Sequence, residues 1–154
     1  MRGHVVEYRH GEEHSVVRGD TQGFGRNVAV TDMFLFVASI AAVDVYTRQG
    51  YCDEKREWKH VTSFSPTNDA AFATTMVAVD KMLYIGSPRE SLVYIYDMRH
   101  WTEPVLLEGR AGFGCGMREE QGTVMIASNK TTTWVRNGEI VEEREERHGS
   151  QRCV

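Results

Sequence analysis

His10 and His14 stand four residues apart, the spacing that aligns two metal ligands on one turn of helix. Here they flank a predicted hairpin turn, where residues i and i+4 also meet. A metal ion needs a third ligand, and spacing marks none. The pair therefore reads as turn histidines, with no metal and no cofactor. Asp32 and Asp80 recur at one position of an internal repeat, and so do Ser39, Ser87 and Ser128. An active site is ordinarily unique within a chain, so recurrence points to side chains that close turns on their own backbone. A serine nucleophile also needs a partnered histidine and a strained elbow, and no G-x-S-x-G motif is present.

Other chemical signals dissolve in the same way. Gly112 to Gly116 reads GFGCG, but no Lys-Ser/Thr pair and no helix follows it, as a phosphate loop requires. Arg18-Gly19-Asp20 spells a cell-attachment tripeptide, yet it sits at a turn of a chain with no leader peptide in view. The cysteines Cys52, Cys115 and Cys153 are far apart, odd in number and lack a C-x-x-C pair, which predicts free thiols in a reducing compartment rather than a disulfide framework. Cys115, on an inner strand, is expected to be a buried and inert thiol. Trp58 and Trp101 are aromatics able to face a sugar ring; Trp134 occupies a different repeat position, so core packing competes with ligand stacking for each. Glu142 to Arg147, EEREER, falls on or just past the last strand, with a turn or two of helix as an alternative, and reads as a charged edge that resists strand pairing.

The elements that would position these residues repeat. Phe24-Gly25 is followed by Ala38-Ser39, Phe72-Ala73 by Gly86-Ser87, and Phe113-Gly114 by Ala127-Ser128. The phenylalanine precedes the small residue by 14 positions each time, and the copies start 48 and then 41 residues apart. Apolar runs precede each small-Ser pair: Phe34 to Val37, Met82 to Ile85 and Val124 to Ile126. Third strands follow at Val43 to Tyr46, Leu92 to Tyr96 and Thr131 to Val135, rich in β-branched and aromatic residues. Fourth strands are predicted at Trp58 to Phe64, Val105 to Leu107 and Glu139 to Val141. Asn137-Gly138 is a two-residue hairpin signal, and Pro66, Pro88 and Pro104 fall at predicted strand ends or loops. Val5 to Tyr8 and Ser15 to Val17 supply the last two strands of a further unit, for about fourteen strands in all. The predicted boundaries are 1–22 for a half unit, then 23–70, 71–111 and 112–147 for three full ones, with 148–154 a tail and all of them one domain.

Four strands per unit, these periods and the Phe-Gly opening resemble the FG-GAP repeats of β-propellers such as the integrin α-chain head, over about Gly23 to Val141 with Val77 to Tyr96 the best match. The resemblance implies an all-β, partial β-propeller of about three and a half four-stranded blades. It makes Phe24, Gly25, Ala38, Phe72, Ala73, Gly86, Phe113, Gly114 and Ala127 the anchors of the repeat. Ala73 departs from the family glycine. The family's calcium loops have no counterpart, because Val30 to Met33, Val79 to Lys81 and Arg118 to Gly122 lack alternating oxygen ligands. A β-trefoil also fits three such units in 154 residues and stays open as an alternative.

Charge and hydropathy exclude some functions. The net charge of −4 and the absence of a Lys/Arg cluster argue against direct nucleic-acid binding. No apolar run is long enough to span a membrane, so an intracellular location is expected. Three and a half blades do not close a ring, and the terminal blades are expected to expose broad apolar faces. The expected function is a non-enzymatic protein-interaction scaffold, with those faces covered by self-association or by a protein partner. A carbohydrate-binding module is the alternative, with a glycan as its ligand.

Overall fold

The computed structural model describes residues 3–48 and 57–145. They form fourteen strands and no helix: β1 (Gly3–Arg9), β2 (Glu12–Gly19), β3 (Asn27–Val30), β4 (Phe34–Ser39), β5 (Ala42–Thr47), β6 (Lys59–Phe64), β7 (Thr75–Val79), β8 (Met82–Ser87), β9 (Leu92–Asp97), β10 (His100–Glu108), β11 (Gly116–Glu120), β12 (Thr123–Ala127), β13 (Thr131–Arg136) and β14 (Glu139–Glu145). Each strand pairs antiparallel with its sequence neighbour in one of four separate sheets, β1–β2, β3–β6, β7–β10 and β11–β14. Three separate four-stranded meanders and a hairpin exclude the trefoil.

Several local expectations change. Glu142 to Glu145 lies in β14 and is not helical, because Glu139-Ile140 continues the hairpin closed at Asn137-Gly138, both at positive φ. Glu146, Arg147 and the 148–154 tail lie outside the described residues, as do Cys52 and Cys153. Arg118 to Glu120 belongs to β11 rather than to a loop, and the turn is Gln121-Gly122. Pro104 lies within β10, in the irregular stretch between His100 and Val105 where the register with β9 shifts. That placement removes the missing proline N–H from the ladder.

Bulges recur in the outer strands. The register slips between Glu7 and Tyr8, between Val45 and Tyr46, and between Trp134 and Val135. The extra residues on the partner strands are His14, Val61 and Val141. A bulge twists an edge away from a second strand, so these edges do not depend on the acidic run alone.

The chain divides into two compact units, Met1–Thr67 and Asn68–Val154. In the first, Val17, Phe24, Leu35, Val37 and Tyr46 form a core between β1–β2 and β3–β6, with Val5 and Trp58 packed on it. In the second, Tyr84, Val93 and Ile95 of β7–β10 meet Phe113, Val124, Ile126 and Val135 from the β11–β14 side. Successive side chains of a strand point to opposite faces, and in the middle strands β4, β8 and β9 both faces are apolar and buried.

Candidate interaction surfaces

The three phenylalanines occupy the same local structure. Each lies in a tight turn just before an inner strand, not in the strand itself. The Phe24, Phe72 and Phe113 amides donate to the carbonyls of Thr21, Asp69 and Arg110. The next residue closes the motif: the N–H groups of Gly25, Ala73 and Gly114 donate to the carbonyls of Ala38, Gly86 and Ala127, at 3.0, 2.9 and 3.0 Å. That bond explains the constant spacing between Phe and the small residue. Its geometry needs positive φ, 89° at Gly25, 66° at Ala73 and 97° at Gly114. Glycine adopts this freely, whereas the alanine carries a penalty of about 1–2 kcal/mol.

Two residues that the sequence did not single out seat the rings. A Cβ on Gly19 would fall closer than 3.0 Å to the Phe24 ring, and one on Gly109 would do the same to the Phe113 ring. Gly19 ends β2 and Gly109 directly follows β10, and each leaves the space the ring fills. The glycine of the Arg18-Gly19-Asp20 tripeptide is therefore spent on packing. In the second unit the Thr75 hydroxyl donates to the Gly114 carbonyl at 2.7 Å, and the Gly138 N–H donates to the Tyr84 hydroxyl at 3.1 Å. Phe72 meets Tyr94 edge-on at 5.2 Å.

The repeated serines are fully buried, but their partners differ. Ser128 accepts the Thr131 N–H at 3.1 Å, a side chain closing its own turn. Ser87 donates to Glu90 at 2.6 Å, and Tyr94 donates to the same carboxylate at 3.1 Å. The Ser39 hydroxyl has no partner among the described residues; three residues on stands Ala42, where Ser87 has Glu90 and Ser128 has Thr131. Removing a partnered buried hydroxyl costs more than removing an orphaned one. Ser128→Ala is therefore expected to cost about 1–3 kcal/mol, and Ser39→Ala to be neutral or stabilising. Urea midpoints for the two variants check the contrast.

One constellation was not visible in the sequence. His60 Nε2 lies 3.0 Å from Asp44 Oδ1 and 2.8 Å from Ser63 Oγ, and the Ser63 hydroxyl also bonds to Asp44. A Ser-His-Asp relay needs acid and hydroxyl on opposite ring nitrogens. Here both crowd one nitrogen, so the three side chains form a polar bracket across β5 and β6, with Tyr46 edge-on to His60 at 5.3 Å. His10 sits at positive φ in the β1–β2 turn, and His14 is exposed in β2. Among the described residues no three His, Cys, Asp or Glu side chains are grouped to hold a metal ion.

Cys115 corrects the thiol expectation. It is half-buried in the turn before β11 and disulfide-bonded. A disulfide belongs to oxidising surroundings more than to a reducing cytosol. Among the described residues no helix is long and apolar enough to cross a membrane.

The tryptophans divide. The Arg48 guanidinium lies 3.9 Å from the Trp58 ring centroid and is held by Glu7, which also accepts the Ser15 hydroxyl at 3.0 Å. One face of Trp58 is thus occupied. Trp101 is half-buried in the irregular part of β10. Arg144 lies 5.5 Å from the Trp134 centroid.

Two hollows mark the second unit. The first, about 270 Å³, lies among hairpin turns and is lined by Asp80, Lys81, Tyr84, Arg99 and Asn137. Two of its polar side chains have partners outside the lining, Arg99 in Asp97 and Tyr84 in the Gly138 N–H. Arg99 binds Asp97 at 2.7 and 2.9 Å and holds that carboxyl below the usual carboxylate range. Burial pushes the Tyr84 phenol up, the Gly138 N–H opposes this, and the Asp80 charge adds to it. The second, about 390 Å³, lies on the sheet β11–β14 between Gly116, Arg118, Met125 and Thr132.

No protein-family model matches the sequence, and no curated protein matches it. Solved structures do match. Hsv2 of Kluyveromyces lactis superposes with a TM-score of 0.63 at 12% identity, over 87% of this chain and 41% of that one. U3-55K gives 0.63 at 15% identity, over 86% and 42%. The computationally designed protein Ika8 gives 0.65 at 12% identity, over 95% and 49%. The chain spans less than half the length of each. Hsv2 and U3-55K are propeller proteins, so the fold is all-β and of the β-propeller kind, present as three four-stranded blades and a two-stranded half blade.

Proposed function

We propose that this chain is a non-enzymatic protein-interaction scaffold, a subunit of an assembly whose partner completes the half blade β1–β2. The two-stranded sheet β1–β2 carries the reading. Val5 pairs with Val17 as Val93 pairs with Leu107. A Cβ on Gly25 would approach the His4 carbonyl of β1, as one on Gly114 would approach the Leu92 carbonyl of β9. The sheet is thus the outer half of a blade. The inner strands that β4 provides for β5, and β8 for β9, have no counterpart beside β1 among the described residues. An open strand edge accepts an added strand through its backbone groups. Three and a half blades are also fewer than the four to eight that close a ring.

The side chains with chemical potential support the same reading, because they are turned to structure: Ser128 to its turn, Asp44, His60 and Ser63 to one another. The test is the native mass of the full chain, both in extracts of the cells that make it and after purification. A species well above one 154-residue chain is expected in the extract. A lone monomer in both preparations would overturn the proposal.

A further inference from the structure

The sheet β11–β14 has two faces, and register assigns each residue to one of them. Met117, Val124, Ile126 and Val135 turn toward β7–β10 and join its core. The opposite face occupies, in blade 3 (β11–β14), the place that blade 2 (β7–β10) uses to receive blade 3. The two can be compared position by position, because both blades have matching registers. Along the inner strand, Val77 and Val79 of blade 2 become Arg118 and Glu120. On the second strand Tyr84 becomes Met125. On the third, Val93 and Ile95 become Thr132 and Trp134. On the fourth, Leu107 becomes Arg144.

Three apolar positions have thus become charged and one has become a threonine. A further blade laid on this face would strip water from Arg118, Glu120 and Arg144 and offer aliphatic surface in return, which does not compensate for the lost hydration. The apolar groups that remain are already covered from within the chain. Arg144 lies over the Trp134 ring and bonds to Glu142 at 2.6 Å, and Arg118 reaches the Met125 sulfur at 3.8 Å. Long arginine stems shield apolar surface while their heads stay hydrated. The broad apolar face expected from the sequence is therefore absent on this side.

We infer that the outer face of β11–β14 is a self-covered terminal surface, the equivalent of a capping repeat. Blade stacking through the Phe seat stops there. A head-to-tail homo-oligomer needs this face to receive the next copy, so a second copy of the chain does not pack on it, and any association runs through other surfaces.

The experiment places a carboxylate on each of the two faces in the full chain. Met125→Glu, with Arg144→Glu as a second variant, is expected to leave the sedimentation profile unchanged and the thermal midpoint within about 3 °C. Ile95→Glu, on the face that does receive a blade, is expected to unfold the protein or lower its midpoint far more. The inference is overturned if Met125→Glu or Arg144→Glu dissociates a larger species, or if either costs as much as Ile95→Glu. Such a result would leave the interaction reading standing, since a chain that associates through this face still associates.

Discussion

Phe113→Ala is expected to destabilise the Asn68–Val154 unit by about 3–5 kcal/mol, the range for removing a fully buried phenylalanine. The ring is 1% exposed and packs with Tyr84, Val93 and Ile95 of blade 2 and Val124, Ile126 and Val135 of its own blade. Truncation would open a cavity across the joint between two sheets. The backbone around it cannot collapse to fill that cavity, because the Gly114 amide is tied to Ala127 and its carbonyl to Thr75. Phe113→Leu keeps most of the volume and should cost about half as much. Denaturant unfolding followed by tryptophan fluorescence in a Trp58→Phe background would report this unit, since the remaining Trp101 and Trp134 stand in β10 and β13. A loss under 1 kcal/mol would mean that the ring does not seat one blade on the next.

Most of this fold was legible because two signals coincide in the sequence. Runs of β-branched and aromatic residues mark strands such as Leu92 to Tyr96, and the Phe-to-small spacing marks the amide-to-carbonyl bond that ties each turn to the end of the second strand. A repeated hydrogen bond leaves a repeated spacing. What was hidden had no fixed spacing. Gly19 precedes Phe24 by five residues, whereas Gly109 precedes Phe113 by four, so the two seats do not align in sequence although they do the same work. The bracket of Asp44, His60 and Ser63 depends on cross-strand register, which a bulge at Val61 shifts by one. The Cys115 disulfide was obscured by the odd cysteine count. The polar outer face of blade 3 was also concealed, because Arg118 and Glu120 look like a charged loop until register places them in β11.

Gly86→Ala is expected to be as damaging as the loss of the ring, although it adds only one methyl group. The small residue of the repeat is alanine in the other two copies, so sequence alone predicts that alanine is tolerated here. Geometry reverses that expectation. A Cβ on Gly86 would fall closer than 3.0 Å to the Gly114 carbonyl oxygen and to the Thr75 hydroxyl. The hydroxyl belongs to a side chain that can rotate, but the carbonyl is backbone. It is fixed by the turn that holds Phe113 in the core. Relief would require the two blades to separate locally, which would also break the Thr75 to Gly114 bond. Overpacking in a closed interior costs about 1–3 kcal/mol, and a clash with immobile backbone belongs at or above the top of that range. Gly116→Ala is the control, because its Cβ would meet only the Ala127 methyl at 3.6 Å. Thr75→Ala combined with Gly86→Ala should recover little, since it removes the mobile half of the clash and leaves the rigid half. Thermal melts of the three variants decide the matter. A Gly86→Ala protein that melts with the Gly116→Ala control would show that the blades are not held as closely as the Gly114 carbonyl places them.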